Sequence, residues 1–148
     1  MKKIVLIGGA GFIGHNLALK LKNRGHKVLI IDGLNVNNFL SIIDPSIANK
    51  KLYFEMLNQR INLLNQNKIE LVIQDARNYF ALTSIVTKFN PDVIVHLAAV
   101  SHANKSNKDP HSTFDHSLRT LENTLDFSKN KGTQIIYMSS SMVYGDFK

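Results

Sequence analysis

Apolar and polar positions alternate along this chain between two periods. Short, largely apolar runs recur at Ile4–Ile7, Val28–Ile31, Leu71–Ile73, Val93–Leu97 and Gln134–Met138. Such runs fit strands buried on both faces, as in a parallel sheet. Between them the period lengthens to that of a helix. Ile13, Leu17 and Leu21 share one face of a segment from Gly11 to about Arg24, closed by Asn23-Arg24-Gly25. Leu82, Ile85, Val86 and Phe89 share a face of a helix from Tyr79, which Asn90-Pro91 ends. Phe114, Leu118, Leu121 and Leu125 form the expected inward face of a long helix over about 111–130, closed by Lys131-Gly132. Strand and helix thus alternate. Right-handed crossovers arrange such a pattern as an α/β fold, a doubly wound parallel sheet of order 3-2-1-4-5.

The stretch between Asp32 and Leu71 is longer than that plan needs. It holds Asn35-Val36-Asn37-Asn38, a turn at Pro45, and a helical segment with Phe54, Leu57, Ile61 and Leu64 on one face. A packed accessory helix is expected there, the alternative being a binding role.

Composition narrows the class. The 148 residues suffice for one domain, and 44% hydrophobic with 20% charged residues is ordinary for a globular protein. No cysteine is present, which removes disulfides and thiolate metal sites and fits a cytoplasmic location. Lys2-Lys3 and the uncharged run after them resemble a secretion signal, but glycines interrupt the run and no small-residue cleavage site follows. No apolar stretch approaches a membrane span. The net charge of +7 comes from lysines scattered along the chain, with no dense basic block and no aromatic interleaving, so no nucleic-acid partner is expected. The six histidines do not cluster with carboxylates at ligand spacing, so no metal is expected.

The candidate chemistry begins at Gly8-Gly9-Ala10-Gly11-Phe12-Ile13-Gly14, directly after the first strand run. A strand, a glycine turn and a helix start in that order hold a pyrophosphate on the helix's free N–H groups and its dipole. Gly8 and Gly9 permit the turn, Gly11 lets the backbone approach the phosphates, and Gly14 brings helix and strand close. Asp32 ends the second strand near the ~20-residue spacing at which a carboxylate accepts hydrogen bonds from an adenosine ribose. It would repel a 2′-phosphate, and Gly33 supplies no arginine, so NAD is expected over NADP. The alternative is an acidic residue in a turn.

These features, with Gln74-Asp75-Ala76-Arg77, His96-Leu97-Ala98-Ala99 and Ser139-Ser140-Ser141-Met142-Val143-Tyr144-Gly145, resemble the extended short-chain dehydrogenase/reductase family. The likeness is to its NAD-dependent nucleotide-sugar epimerases and dehydratases. It covers essentially the whole chain but only the first, Rossmann-type half of such an enzyme. The resemblance implies that residues 1–148 are one NAD-binding domain lacking its substrate-binding part. Asp75 and Ala76 would contact adenine, the alternative being an Asx turn or a cap for the helix at Tyr79. Leu97, Ala98 and Ala99 would pass beside the cofactor, and Ser101 would fall near the ribose or nicotinamide. His96 reads better as a hydrogen-bonded packing residue than as a catalytic one. His116-Ser117 stands where the family usually carries asparagine, which leaves the support of the cofactor loop open.

The resemblance places the catalytic hydroxyl on Ser140. Ser141 and Met142 are not acidic, which favours an epimerase or simple oxidoreductase over a dehydratase. The family's proton carrier, the tyrosine of a Tyr-x-x-x-Lys pair, lies some two dozen residues beyond the catalytic hydroxyl. No such pair fits that place here, and Tyr144 is too near. The chain as given is therefore expected to bind NAD and to have no epimerase activity alone. Homodimerisation through the helix at about 111–130 is expected. The alternatives are a dehydratase or reductase of the same family and a non-catalytic NAD-sensing module, with RNA binding a distant third.

Overall fold

The computed structural model describes residues 1–35, 39–43, 45, 47–100, 108–129 and 131–145. Five strands, β1 (Lys3–Ile7), β2 (Lys27–Asp32), β3 (Glu70–Ile73), β4 (Val93–His96) and β5 (Gln134–Tyr137), form one sheet. Its order is β3-β2-β1-β4-β5, and every pairing is parallel. Among the described residues, helices α1 (Phe12–Asn23), α2 (Lys50–Gln66), α3 (Tyr79–Phe89) and α4 (Pro110–Ser128) make the crossovers. The registers Ile7↔Ile31, Ile7↔His96, Asp32↔Ile73 and His96↔Tyr137 bring all five carboxyl ends to one edge.

Alternate residues of the central strands feed two cores. Ile4, Leu6, Val28, Ile30, Val93 and Val95 pack with Ala18 of α1 and Leu64 of α2. Val5, Ile7, Leu29, Ile31 and Ile94 pack with Leu82 and Val86 of α3 and Phe127 of α4. The continuous apolar runs are thus explained for β1, β2 and β4, which are covered on both sides. The expectation fails at the edge strands. Ile73 of β3 and Ile136 and Tyr137 of β5 are exposed, because at the rim of the sheet helices cover the strands only in part.

Two helix faces also differ from expectation. In α1 the buried residues are Gly14, His15 and Ala18, with Leu17 and Leu21 partly buried, while Ile13 is 58% exposed. Gly14 has no side chain, so backbone meets backbone there and the contact face rotates towards it. In α4 the buried residues are Thr120, Asn123, Thr124 and Phe127. Phe114, Leu118 and Leu125, read as inward, are 61%, 53% and 50% exposed. The helix turns its polar, small residues to the sheet because they bond groups there, and its apolar stripe faces out.

The punctuation behaves as read. Gly25 (φ +80°) closes α1 by donating its N–H to Lys22 O at 2.9 Å. The long insertion forms a short 3-10 turn at Phe39–Ile43 and the accessory helix α2, which buries Leu57 and Leu64 while Phe54, 46% exposed, meets Phe39 with ring centroids 5.5 Å apart and planes tilted by 60°.

Candidate functional site

At the carboxyl edge of the sheet lies a cleft of about 620 Å³, within the range of small-ligand sites. Gly8, Gly11, Phe12, Ile13, Gly14, Asp32, Asp75, Ala76, Leu97, Ala98 and Ala99 all line it. Each ends a strand, follows a strand end closely or opens α1, so the parallel topology gathers them. Ser101 lies outside the described residues.

The glycine turn is built by close approach. Gly8 sits at φ +77°, and a Cβ there would lie 2.7 Å from Ala98 N. A Cβ on Gly14 would lie 2.4 Å from Gly9 O and 2.5 Å from Gly9 Cα, so the partner of Gly14 is the turn itself and not the strand. Gly11 differs: its Cβ would meet nothing nearer than Gly8 O at 3.6 Å, and Gly11 lines the cleft. Gly11 is also the N-cap of α1, with no side-chain hydrogen bond and no acidic residue in the first turn. Helices α2, α3 and α4 are instead capped by the side chains of Asn49, Asn78 and Asp109. The start of α1 therefore keeps its first-turn N–H groups and its dipole for the cleft, a cradle of the right chemistry for a phosphate.

Asp32 holds this turn. Its Oδ2 accepts from Ala10 N at 2.9 Å and its Oδ1 from Leu34 N at 2.8 Å. One carboxylate thus ties the glycine turn to the loop after β2 and still lines the cleft.

Asp75 forms the Asx turn anticipated as an alternative, its Oδ1 accepting from Arg77 N at 2.9 Å. The helix cap at α3 falls to Asn78 instead. Arg77 also grips Asp75 through Nε and Nη2, and reaches Asp115 of α4 through Nη1 at 2.7 Å. The Arg77 guanidinium holds the Asp75 and Asp115 carboxyls below their ordinary values. His116 Nδ1 lies 3.3 Å from Arg77 Nη1 and lines the cleft.

His96 is the packing residue expected of it. It is 1% exposed, with Nδ1 3.1 Å from Thr124 Oγ1 and Nε2 3.4 Å from Thr120 Oγ1. Burial pushes its pKa down to about 4, so the ring is neutral near pH 7. The open question at His116-Ser117 has an answer: Ser117 Oγ accepts from Val100 N at 3.1 Å and pins the loop after β4.

Ser140 is exposed beyond β5, followed by a 3-10 turn at Ser141–Tyr144, and its carbonyl accepts from Val143 N at 3.2 Å. It is not in the cleft wall; Met138 is the β5-end residue that lines it. Sequence reasoning passed over Asp115 and Asn123. The one signal available was a row of polar residues (Asp115, Thr120, Asn123, Thr124) on the long helix, which ordinarily marks a solvent face.

An open, doubly wound α/β sheet with a glycine-turn cleft at its carboxyl edge is the architecture of a nucleotide-binding domain. The sequence model of the NAD dependent epimerase/dehydratase family matches residues 4–148, and the chain belongs to that family. Protein CapI of Staphylococcus aureus is 33% identical over 147 residues, covering 97% of this chain and 39% of that protein. The bifunctional UDP-glucose 4-epimerase and UDP-xylose 4-epimerase 1 of Pisum sativum is 30% identical over 145 residues, covering 97% and 38%. The crystal structure of UDP-glucose-4-epimerase from Stenotrophomonas maltophila, with bound NAD and formylated UDP-arabinopyranose, shares the fold at a TM-score of 0.74 and 24% identity, over 99% of this chain and 39% of that one. The chain thus spans about 39% of the length of the first of these relatives. Among the described residues, no helix is long and apolar enough to cross a membrane, and no group of His, Asp and Glu could hold a metal ion.

Proposed function

We propose that this chain is the NAD-binding portion of a nucleotide-sugar epimerase. The uncapped start of α1, open to the cleft between Gly11 and Asp32, carries this reading. Phe12, Ile13 and Gly14 would give their N–H groups to the pyrophosphate. Asp32 would accept from the adenosine ribose, and Asp75 with Ala76 would meet the adenine. Leu97, Ala98 and Ala99, small or neutral, would let the nicotinamide half pass along the β4 end. NAD supplies a hydride acceptor and donor for a sugar hydroxyl that passes through a ketone. Ser140 would hydrogen-bond that hydroxyl. Its place outside the cleft wall fits a substrate contact better than a cofactor contact.

The UDP-sugar substrates of the relatives make a nucleotide sugar the expected substrate class, completed by sequence equivalent to the rest of those proteins. The 148 residues alone would bind cofactor without turnover. The outward stripe of Phe114, Leu118, Leu121 and Leu125 on α4 supports self-association through that helix. A dehydratase is disfavoured by the non-acidic Ser141 and Met142.

Calorimetric titration tests the reading. Saturable NAD⁺ binding is expected, weakened for NADP⁺ and in Asp32→Ala; a folded chain that binds neither dinucleotide would refute it.

A further inference from the structure

Asn123 sits mid-way along α4, 8% exposed, on the face turned towards the sheet. Its Nδ2 donates to Ala76 O at 2.8 Å and to Arg77 O at 3.0 Å. One amide group, with two hydrogens, therefore serves two successive carbonyls. The same two peptide units are held at their other ends. Arg77 N donates to Asp75 Oδ1 at 2.9 Å, and Asn78 N donates to Asp75 O at 3.1 Å. The backbone from Ala76 to Asn78 is thus fixed on both sides, with Asn123 the element that comes from elsewhere in the chain.

That backbone is a wall of the cleft, since Asp75, Ala76 and Arg77 all line it. The strand order places it. β3 lies beyond β2 on the side away from β4 and β5. A dinucleotide with its pyrophosphate at the α1 start and one ribose at Asp32 would have its adenine at the β3 end and its nicotinamide towards β4. We propose that Asn123 is a positioning residue for the adenine half of the dinucleotide, acting through the Ala76–Arg77 backbone and touching no ligand itself. This rests on the reading of the cleft as an NAD site.

The two halves of the ligand separate this role from a general structural one. In an NMR shift titration, AMP reports the adenine side and nicotinamide mononucleotide the other. Asn123→Asp has the same shape but places acceptors against two carbonyl oxygens; Asn123→Ala removes the donors. Losing one buried donor set corresponds to roughly a tenfold change in affinity. AMP and NAD⁺ are expected to weaken by about tenfold in both variants, with nicotinamide mononucleotide unchanged. Equal weakening of AMP and nicotinamide mononucleotide, or unaltered AMP binding in folded variants, overturns the proposal. A readout on the wild-type chain covers the case in which both variants fail to fold. The Asn123 side-chain amide protons and the Arg77 and Asn78 amides are expected to shift with AMP and not with nicotinamide mononucleotide, and the reverse pattern or no shift overturns it. A wild-type chain that binds neither NAD⁺ nor AMP refutes the cofactor reading itself, whereas wild-type binding with indifferent variants refutes only the role of Asn123.

Discussion

Replacing Gly14 by alanine sets two effects of opposite sign against each other. Alanine is the better helix former by about 1 kcal/mol, so propensity alone predicts a more stable protein. The structure predicts the reverse. An added Cβ would lie 2.4, 2.5 and 2.6 Å from Gly9 O, Cα and C. All three atoms are backbone, and ordinary contact begins near 3.4 Å, so α1 or the turn must move by about 1 Å. Neither moves freely. Gly9 is wedged against Leu6 and Ile30, where its own Cβ would lie 2.8 and 2.9 Å from side-chain carbons. Overpacking of this kind costs about 1–3 kcal/mol, and backbone on backbone belongs at the upper end. After the propensity gain, the expected net loss is about 2 kcal/mol. For a chain of this size that is a fall in Tm of roughly 4–8 °C. The same shift moves the α1 start away from the cleft, so NAD⁺ affinity falls with stability. Gly11→Ala is the control. Its Cβ meets nothing within 3.5 Å and its φ of −71° is ordinary, so stability should change by less than about 1 kcal/mol. NAD⁺ binding should still suffer, because Gly11 lines the cleft at the α1 start where the phosphates are expected. Thermal and urea unfolding of both variants, with NAD⁺ titrations, make the comparison. A Gly14→Ala protein as stable as wild type, or more so, refutes the close-packing account.

Asp32→Ala removes the acceptor of Ala10 N and Leu34 N, and should lower stability by about 1–2 kcal/mol as well as weakening NAD⁺ binding; an unchanged urea midpoint would count against its role as a tie. His96 has its folded pKa pushed down to about 4 by burial, below its ordinary value of 6.5, so its neutral form is favoured in the fold. That contribution is full above pH 6.5 and is lost as pH falls towards 4, amounting to about 3 kcal/mol in all. Unfolding free energies measured between those limits should show this slope in the wild type and lack it in His96→Leu, and an identical slope in both would exclude His96 as the source. Leu118→Asp with Leu125→Asp should leave a monomer by light scattering at concentrations where the wild type associates. A wild type that stays monomeric at high concentration would remove the proposed self-association through α4.

The sequence by itself determined the order of elements, the glycine turn, the acid at the end of β2 and the parallel sheet. These are local or periodic signals: four apolar residues before Gly8, a helix start after it, strands alternating with helices. Parallel strands joined by right-handed crossovers must bring their carboxyl ends to one edge, so the residues after each strand meet there without further specification. Tertiary structure alone decided which face of α4 is inward. Periodicity finds an apolar stripe but does not say what covers it, and here the sheet side offered polar groups: His96 for Thr120 and Thr124, two loop carbonyls for Asn123. The duties of Arg77, Asp115 and Asn123 were hidden for the same reason. Their partners lie 38 to 47 positions away for Asp115 and Asn123, and a hydrogen bond across that separation leaves no spacing to read. Ser117 was visible as a departure from a family pattern, but its bond to Val100 exists only because α4 crosses the end of β4. Local chemistry is written in the order of residues. Long-range pairing is settled when helices pack, because only then does each buried polar group find the one partner within reach.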